Sequence, residues 1–272
     1  MFTGRKEEFI QRVREEASKD DRVRAAWLAG SYGNGTADEY SDIDLHLLLE
    51  DDSFDWVAFA AKVTPSVLAK PIPGLNGGLV ITPEWVHLDI VCHTSVPELR
   101  GCLPLFDHTG LLPQELTPAQ SPWGEPYFPD EVISFYYYML GLSVVVLGRG
   151  ELNLAVYGAV ARLDGLIQLM LAENGVRKTD GRKRQNAYLT PDQIAFLESY
   201  PPLLHETASI LAFDRRTADE VSRRGRLLAE RTGQRWPHEL EAATITYLRN
   251  NLDWPAMSSG AAAGLTEHDD NI

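Results

Sequence analysis

The stretch Gly30-Ser31-Tyr32-Gly33-Asn34-Gly35-Thr36-Ala37-Asp38-Glu39-Tyr40-Ser41-Asp42-Ile43-Asp44-Leu45 decides the reading of this 272-residue chain. Val23 to Ala29 before it and Ile43 to Leu49 at its end are short apolar runs that read as strands, so the glycine-rich segment between them is expected to be a compact crossover. Glycine at position 30 permits a tight backbone and the close approach of a ligand. The amide and hydroxyl of Ser31 then stand free at the start of a turn or helix, where anions are favoured, and Gly30-Ser31 reads as a phosphate seat. Side chains alternate along a strand, which puts Asp42 and Asp44 on one face and Ile43 and Leu45 on the other. Two carboxylates so close repel unless a cation lies between them, and hard oxygen ligands beside phosphates favour Mg²⁺.

A Gly-Ser pair followed about ten residues later by Asp-x-Asp resembles the signature of the polymerase-β-like nucleotidyltransferases. The resemblance implies transfer of a nucleoside monophosphate from a nucleoside triphosphate, and a third acid on a neighbouring strand. Asp89, within Trp85-Val86-His87-Leu88-Asp89-Ile90-Val91, supplies that acid in an apolar run where a charge is otherwise expensive. Further runs resemble the lincosamide nucleotidyltransferases, an antibiotic-modifying branch that also includes aminoglycoside enzymes. They are Arg5 to Ala17, Asp21-Arg22-Val23, the segment 37–42, Thr109-Gly110-Leu111 and Leu140 to Gly150. The resemblance implies ATP as donor, an antibiotic hydroxyl as acceptor, resistance as the outcome and a homodimer as the assembly.

The remaining candidates follow from this frame. Asp42, Asp44 and Asp89 are the expected metal ligands and catalytic acids, and Asp89 is favoured as acceptor of the hydroxyl proton over a purely metal-binding role. His87 precedes Asp89 as His46 follows Asp44; His87 reads as a substrate contact and His46 as core. Trp85 and Asp164 are further substrate-contact candidates, and Glu84 is a weaker base candidate. Lys178 and Arg182 belong to a basic run, 177–184, that reads by default as a solvated loop and alternatively as counter-charge for a triphosphate.

A net charge of −14 argues against nucleic acid as the partner, since that binding relies on Lys and Arg contacts to phosphate. It suits a small cationic acceptor as well as it suits an acidic surface that keeps a protein in solution. Cys92 and Cys102 have no metal-type spacing and the N-terminus has no apolar signal region, so a reduced cytoplasmic protein is expected. Val132 to Gly148 is uncharged but short for a membrane span and is expected to be a buried helix.

The fold class expected is α+β: a nucleotidyltransferase domain with a mixed sheet over residues 1–117, a helical bundle domain over 118–254 and a disordered tail over 255–272. NTP and Mg²⁺ are expected to bind between the two domains. In the first domain, helices are expected over about 6–18 and 54–69, with Leu79 to Thr82 and Val86 to Cys92 as a hairpin. Residues 96–129 hold seven prolines and are expected to connect the domains, with a short element near Leu103 to Asp107. Helices are then expected over 130–147, 151–174, 191–211, 215–231 and 238–251, the third as one unbroken segment. Two other readings stay open: a toxin-type nucleotidyltransferase acting on tRNA or protein, and a non-catalytic nucleotide-binding regulator.

Overall fold

The computed structural model describes residues 3–118, 121, 123–177 and 182–254. The chain forms two compact units, Met1–Ser121 and Pro122–Ile272. The first is a mixed sheet with helices and the second is helical, which is the α+β architecture expected. The expected tail over 255–272 lies outside the described residues.

Six strands of the first unit form one sheet among the described residues, in the order β3-β4-β5-β2-β1-β6. They are β1 (Val23–Leu28), β2 (Ile43–Leu49), β3 (Leu68–Pro71), β4 (Gly77–Ile81), β5 (His87–His93) and β6 (Leu103–Asp107). β2 is central and runs parallel to β5 and antiparallel to β1. The connection carrying Gly30-Ser31 therefore joins antiparallel neighbours and is not a crossover. It needs only one helical turn, α2 (Gly30–Gly33), to reverse the chain.

Strand alternation sets the two faces. Ile43, Leu45, Leu47 and Leu49 of β2 and Leu88, Ile90 and Cys92 of β5 enter one apolar core with Phe9, Val13 and Ala17 of α1 (Thr3–Ser18) and Phe59, Ala60 and Val63 of α3 (Trp56–Val63). The intervening residues Asp44 and His46 of β2, and His87, Asp89 and His93 of β5, are left for the opposite face. The core helices thus anchor the strands, and the polar residues inherit fixed positions from them.

Two expectations for this unit are corrected. The helix expected over 54–69 ends at Val63, because Thr64 precedes Pro65 and takes an extended backbone, φ −162° and ψ 149°. Leu68–Pro71 then becomes the edge strand β3, a place that tolerates proline. The short element expected near Leu103 to Asp107 in the Pro-rich segment is β6, which pairs with β1 and closes the other edge.

The second unit contains α4 (Asp130–Gly148), α5 (Leu152–Glu173), a 3₁₀ segment (Arg182–Tyr188), α6 (Pro191–Glu198), α7 (Thr207–Thr232) and α8 (His238–Asn251). The single helix expected over 191–211 is two, α6 and α7, separated by a segment holding Pro201 and Pro202, which a continuous helix does not accommodate. α4 and α5 are each long and apolar enough to cross a membrane by length and composition. Ile133, Tyr136, Tyr137 and Leu140 of α4 pack in one core with Leu166, Leu169 and Met170 of α5 and with Val221 and Leu228 of α7. Arg162 of α5 is buried and makes a two-pronged ion pair with Asp214 of α7 at 2.9 and 2.7 Å.

Candidate active site

The site grows from the register of two strands. β2 and β5 pair in parallel with Asp44 opposite Asp89, so two side chains that alternation sends to the same face stand side by side. Asp42 lies one residue before β2, outside the strand on which it was expected, and still joins them. One carboxylate oxygen from each of Asp42, Asp44 and Asp89 comes within 4.8 Å of the others, and all three residues are half-buried. Three acids this close fit a divalent cation bound through oxygen, as the chemistry of the donor set requires.

His87 stands between two of them. Its Nε2 is 2.9 Å from Asp89 Oδ1 and its Nδ1 is 3.8 Å from Asp42 Oδ2. The substrate-contact candidate therefore touches the acids themselves. His46, two residues beyond Asp44 on the same face, packs in a stack with Trp27 and His93, with ring centroids 5.2 Å from Trp27 and 5.1 Å from His93. Its Nδ1 is 2.8 Å from His93 Nε2, and burial followed by repulsion from His93 pushes its pKa down to about 4. His46 is a neutral packing residue, as expected.

The Gly30-Ser31 turn is tied to the acids directly. Ala29 N donates to the carbonyl of Asp44 at 2.9 Å, and Gly30 has φ +54° with the Asp44 carboxylate against its Cα. Ser31 Oγ is buried and has no hydrogen-bond partner among the described residues. Such a hydroxyl is costly to leave unpaired, and it fits the phosphate-seat reading because a phosphate oxygen would satisfy it.

Lys6 carries a role that the sequence does not disclose. From α1 its Nζ donates to the carbonyls of Glu39 (2.7 Å) and Ser41 (2.5 Å), pinning the loop that delivers Asp42. Asp38 supports the same loop by accepting from Ser41 Oγ at 3.0 Å. The only signal for this role is a lone lysine near a helix start, which sequence reasoning has no means to pair with a loop more than thirty residues away.

Residues 7–72 match the nucleotidyltransferase domain family. The chain carries a nucleotidyltransferase domain. The match spans the Gly30-Ser31 turn, Asp42 and Asp44, and β5 with Asp89 lies beyond it. No curated protein matches the sequence. Among solved structures, an aminoglycoside 6-adenyltransferase from Bacillus subtilis is similar at 13% identity, over 87% of this chain and 95% of that one, with a TM-score of 0.39.

The other candidates fall elsewhere. Trp85 is exposed in the turn leading into β5, and Glu84 beside it is exposed as well. Asp164 is half-buried on α5 in the second unit of the nucleotidyltransferase. Lys178 and the side chain of Arg182 lie outside the described residues. A groove of about 1180 Å³ runs along α7 past Phe196, Leu211, Arg215 and Arg216 and contains none of the three acids. The acids and their strand register, not cavity size, locate the site.

Proposed function

We propose that this nucleotidyltransferase moves AMP from ATP to a hydroxyl of a small cationic antibiotic, a lincosamide or an aminoglycoside, and so confers resistance. The observation that carries the chemistry is the convergence of Asp42, Asp44 and Asp89 beside the Gly30-Ser31 turn. The acceptor class rests on the sequence resemblance and on the net charge of −14. A cytoplasmic homodimer completes the proposal.

Asp42, Asp44 and Asp89 would hold Mg²⁺, which when bound neutralises triphosphate charge and stabilises charge developing at the α-phosphate. Gly30 and Ser31 would seat the phosphates, and Lys178 and Arg182 would supply counter-charge. Asp89 is the proposed general base. As the acceptor oxygen forms its bond to the α-phosphorus and the bond to pyrophosphate breaks, Asp89 takes the hydroxyl proton. His87, in contact with Asp89, holds that carboxylate in place and lies within reach of the acceptor. Asp164 is proposed as a further contact for a cationic group.

The test is incubation of the full chain with MgATP and a panel of lincosamides, aminoglycosides and bulk tRNA, with products weighed by mass spectrometry. One adenylate added to a drug, and lost with Asp44→Asn in a protein that still folds, supports the proposal. Adenylate on tRNA alone assigns a macromolecular acceptor, and no product from any nucleoside triphosphate overturns the proposed reaction. Divalent metal should also raise the thermal midpoint of the wild type but not of Asp44→Asn, since only the state with an intact acid cluster gains binding energy.

A further inference from the structure

The connection between β4 and β5 is a three-residue loop, Pro83-Glu84-Trp85. Trp85 N donates to the Thr82 carbonyl at 2.9 Å and Thr82 N to the Val86 carbonyl at 3.1 Å, while Val86 N donates to Thr82 Oγ1 at 3.1 Å. Hairpin loops of this length end on a left-handed residue, a position that glycine fills without strain and a bulky side chain does not. Here it is Trp85, at φ +61°, and among the described residues no other non-glycine has a positive φ. The side chain is 79% exposed, so internal packing does not offset the strain. A large aromatic ring kept in a disfavoured conformation and presented to solvent points to a ligand.

Its place in the sheet says which ligand. Trp85 precedes His87 by two residues and Asp89 by four, on the β5 side of Asp44. The Gly30-Ser31 phosphate seat lies on the β1 side. Phosphoryl transfer proceeds in line, with the attacking oxygen opposite the leaving group, so the β5 side is where the acceptor enters. The sequence from 71 to 99 contains no Lys or Arg, and the loop offers the exposed carboxylate of Glu84 next to the indole. An aromatic face with adjacent acids is a receptor for a protonated amine carried on a compact ring.

We propose that Trp85 is the specificity-determining platform of the acceptor site, stacking against a ring of a cationic amine-bearing acceptor whose ammonium groups face Glu84. This deepens the proposed adenylyl transfer and rests on it for the acceptor's role.

The experiment labels the full chain with 5-fluorotryptophan, whose six tryptophans give separable ¹⁹F signals, and assigns Trp85 by its loss in Trp85→Gly. Kanamycin, lincomycin and MgATP are titrated separately. The Trp85 signal is expected to shift with a cationic acceptor and to stay in place with MgATP. Trp85→Gly is expected to raise the acceptor KM about tenfold, a loss of about 1.4 kcal/mol, with the KM for ATP unchanged. The same variant is expected to raise the unfolding midpoint by a few degrees, a gain that a purely structural tryptophan would not give. A signal that moves with MgATP alone, or with nothing, overturns the inference, as does an unchanged acceptor KM. A signal that shifts with a drug that the wild type never adenylylates supports the platform and sinks the transfer reading instead, so the two failures are separable.

Discussion

A methyl group built on Gly30 would lie 2.0 Å from Oδ2 of Asp44, closer than any real contact. The phosphate-seat turn and the central acid are thus packed against each other through a missing side chain. The same residue has φ +54°, which adds a penalty of about 1–2 kcal/mol for any L side chain. Gly30→Ala should displace the Asp44 carboxylate and cut turnover at least about a hundredfold, in keeping with the loss from misplacing a reacting group by about 1 Å. Steady-state kinetics checks this, with circular dichroism confirming a folded chain; activity within a factor of three would show that the turn and the acid are not coupled.

Lys6 gives a milder test of the same geometry. Its ammonium holds the carbonyls of Glu39 and Ser41 in the loop that leads into Asp42. Lys6→Met keeps the aliphatic stem and removes both bonds. Turnover should fall about tenfold with the KM for the acceptor little changed, and the metal concentration for half-maximal rate should rise, because loosening the loop frees Asp42 to leave the cluster. A loss in stability with no change in metal dependence would make Lys6 a fold residue only.

The contrast between these two residues shows what the sequence discloses. Gly30, Ser31, Asp42, Asp44 and Asp89 are legible because each local pattern, a glycine turn or an acid in an apolar run, conflicts with ordinary folding unless it serves a site. Alternation along β2 fixes the face of Asp44, and the parallel register with β5 sets it beside Asp89, the acid that the resemblance implies on a neighbouring strand. Lys6, the His46–His93 contact and the Arg162–Asp214 pair depend on partners 35, 47 and 52 residues away, and nothing in the local sequence names a partner at such range. The errors at Thr64 and at Pro201 and Pro202 share another cause. Apolar content extended the expected helices past prolines that end them, whereas the short element expected near Leu103 to Asp107 is β6, with a pairing to β1 that is purely tertiary.

Within the helical unit, Arg162 and Asp214 are both almost fully inaccessible and pair at 2.9 and 2.7 Å. Removing one partner strands the other charge, so Arg162→Met should destabilise by about 3–5 kcal/mol. Replacing both, as Arg162→Met with Asp214→Leu, should recover most of that loss because no buried charge remains. Urea unfolding of the intact chain measures both. A double variant as unstable as the single one would mean that the pair contributes through geometry that apolar side chains cannot supply.

Glu241 provides the pH dependence. It accepts hydrogen bonds from Tyr137, Ser222, Trp236 and Arg226. Burial alone would raise its pKa, but the bonds from Trp236, Ser222 and Arg226 outweigh it and hold the carboxyl below its ordinary 4.5. A folded-state pKa below the unfolded one means that the unfolded chain takes up the proton first. The stabilisation is therefore complete above about pH 4.5 and lost as pH falls through the folded-state value. Glu241→Gln should cost about 2 kcal/mol at pH 7, the scale of hydrogen bonds to a charged group. The gap from wild type should narrow as the pH drops below 4.5, where the unfolded carboxyl takes up its proton, and close once the pH passes below the folded-state value. Unfolding followed by the fluorescence of Trp236, with the other tryptophans replaced by phenylalanine, reads the change at the network itself. A gap that stays constant from pH 7 to pH 3.5, both chosen to bracket about 4.5, would show that the glutamate contributes by shape and not by charge.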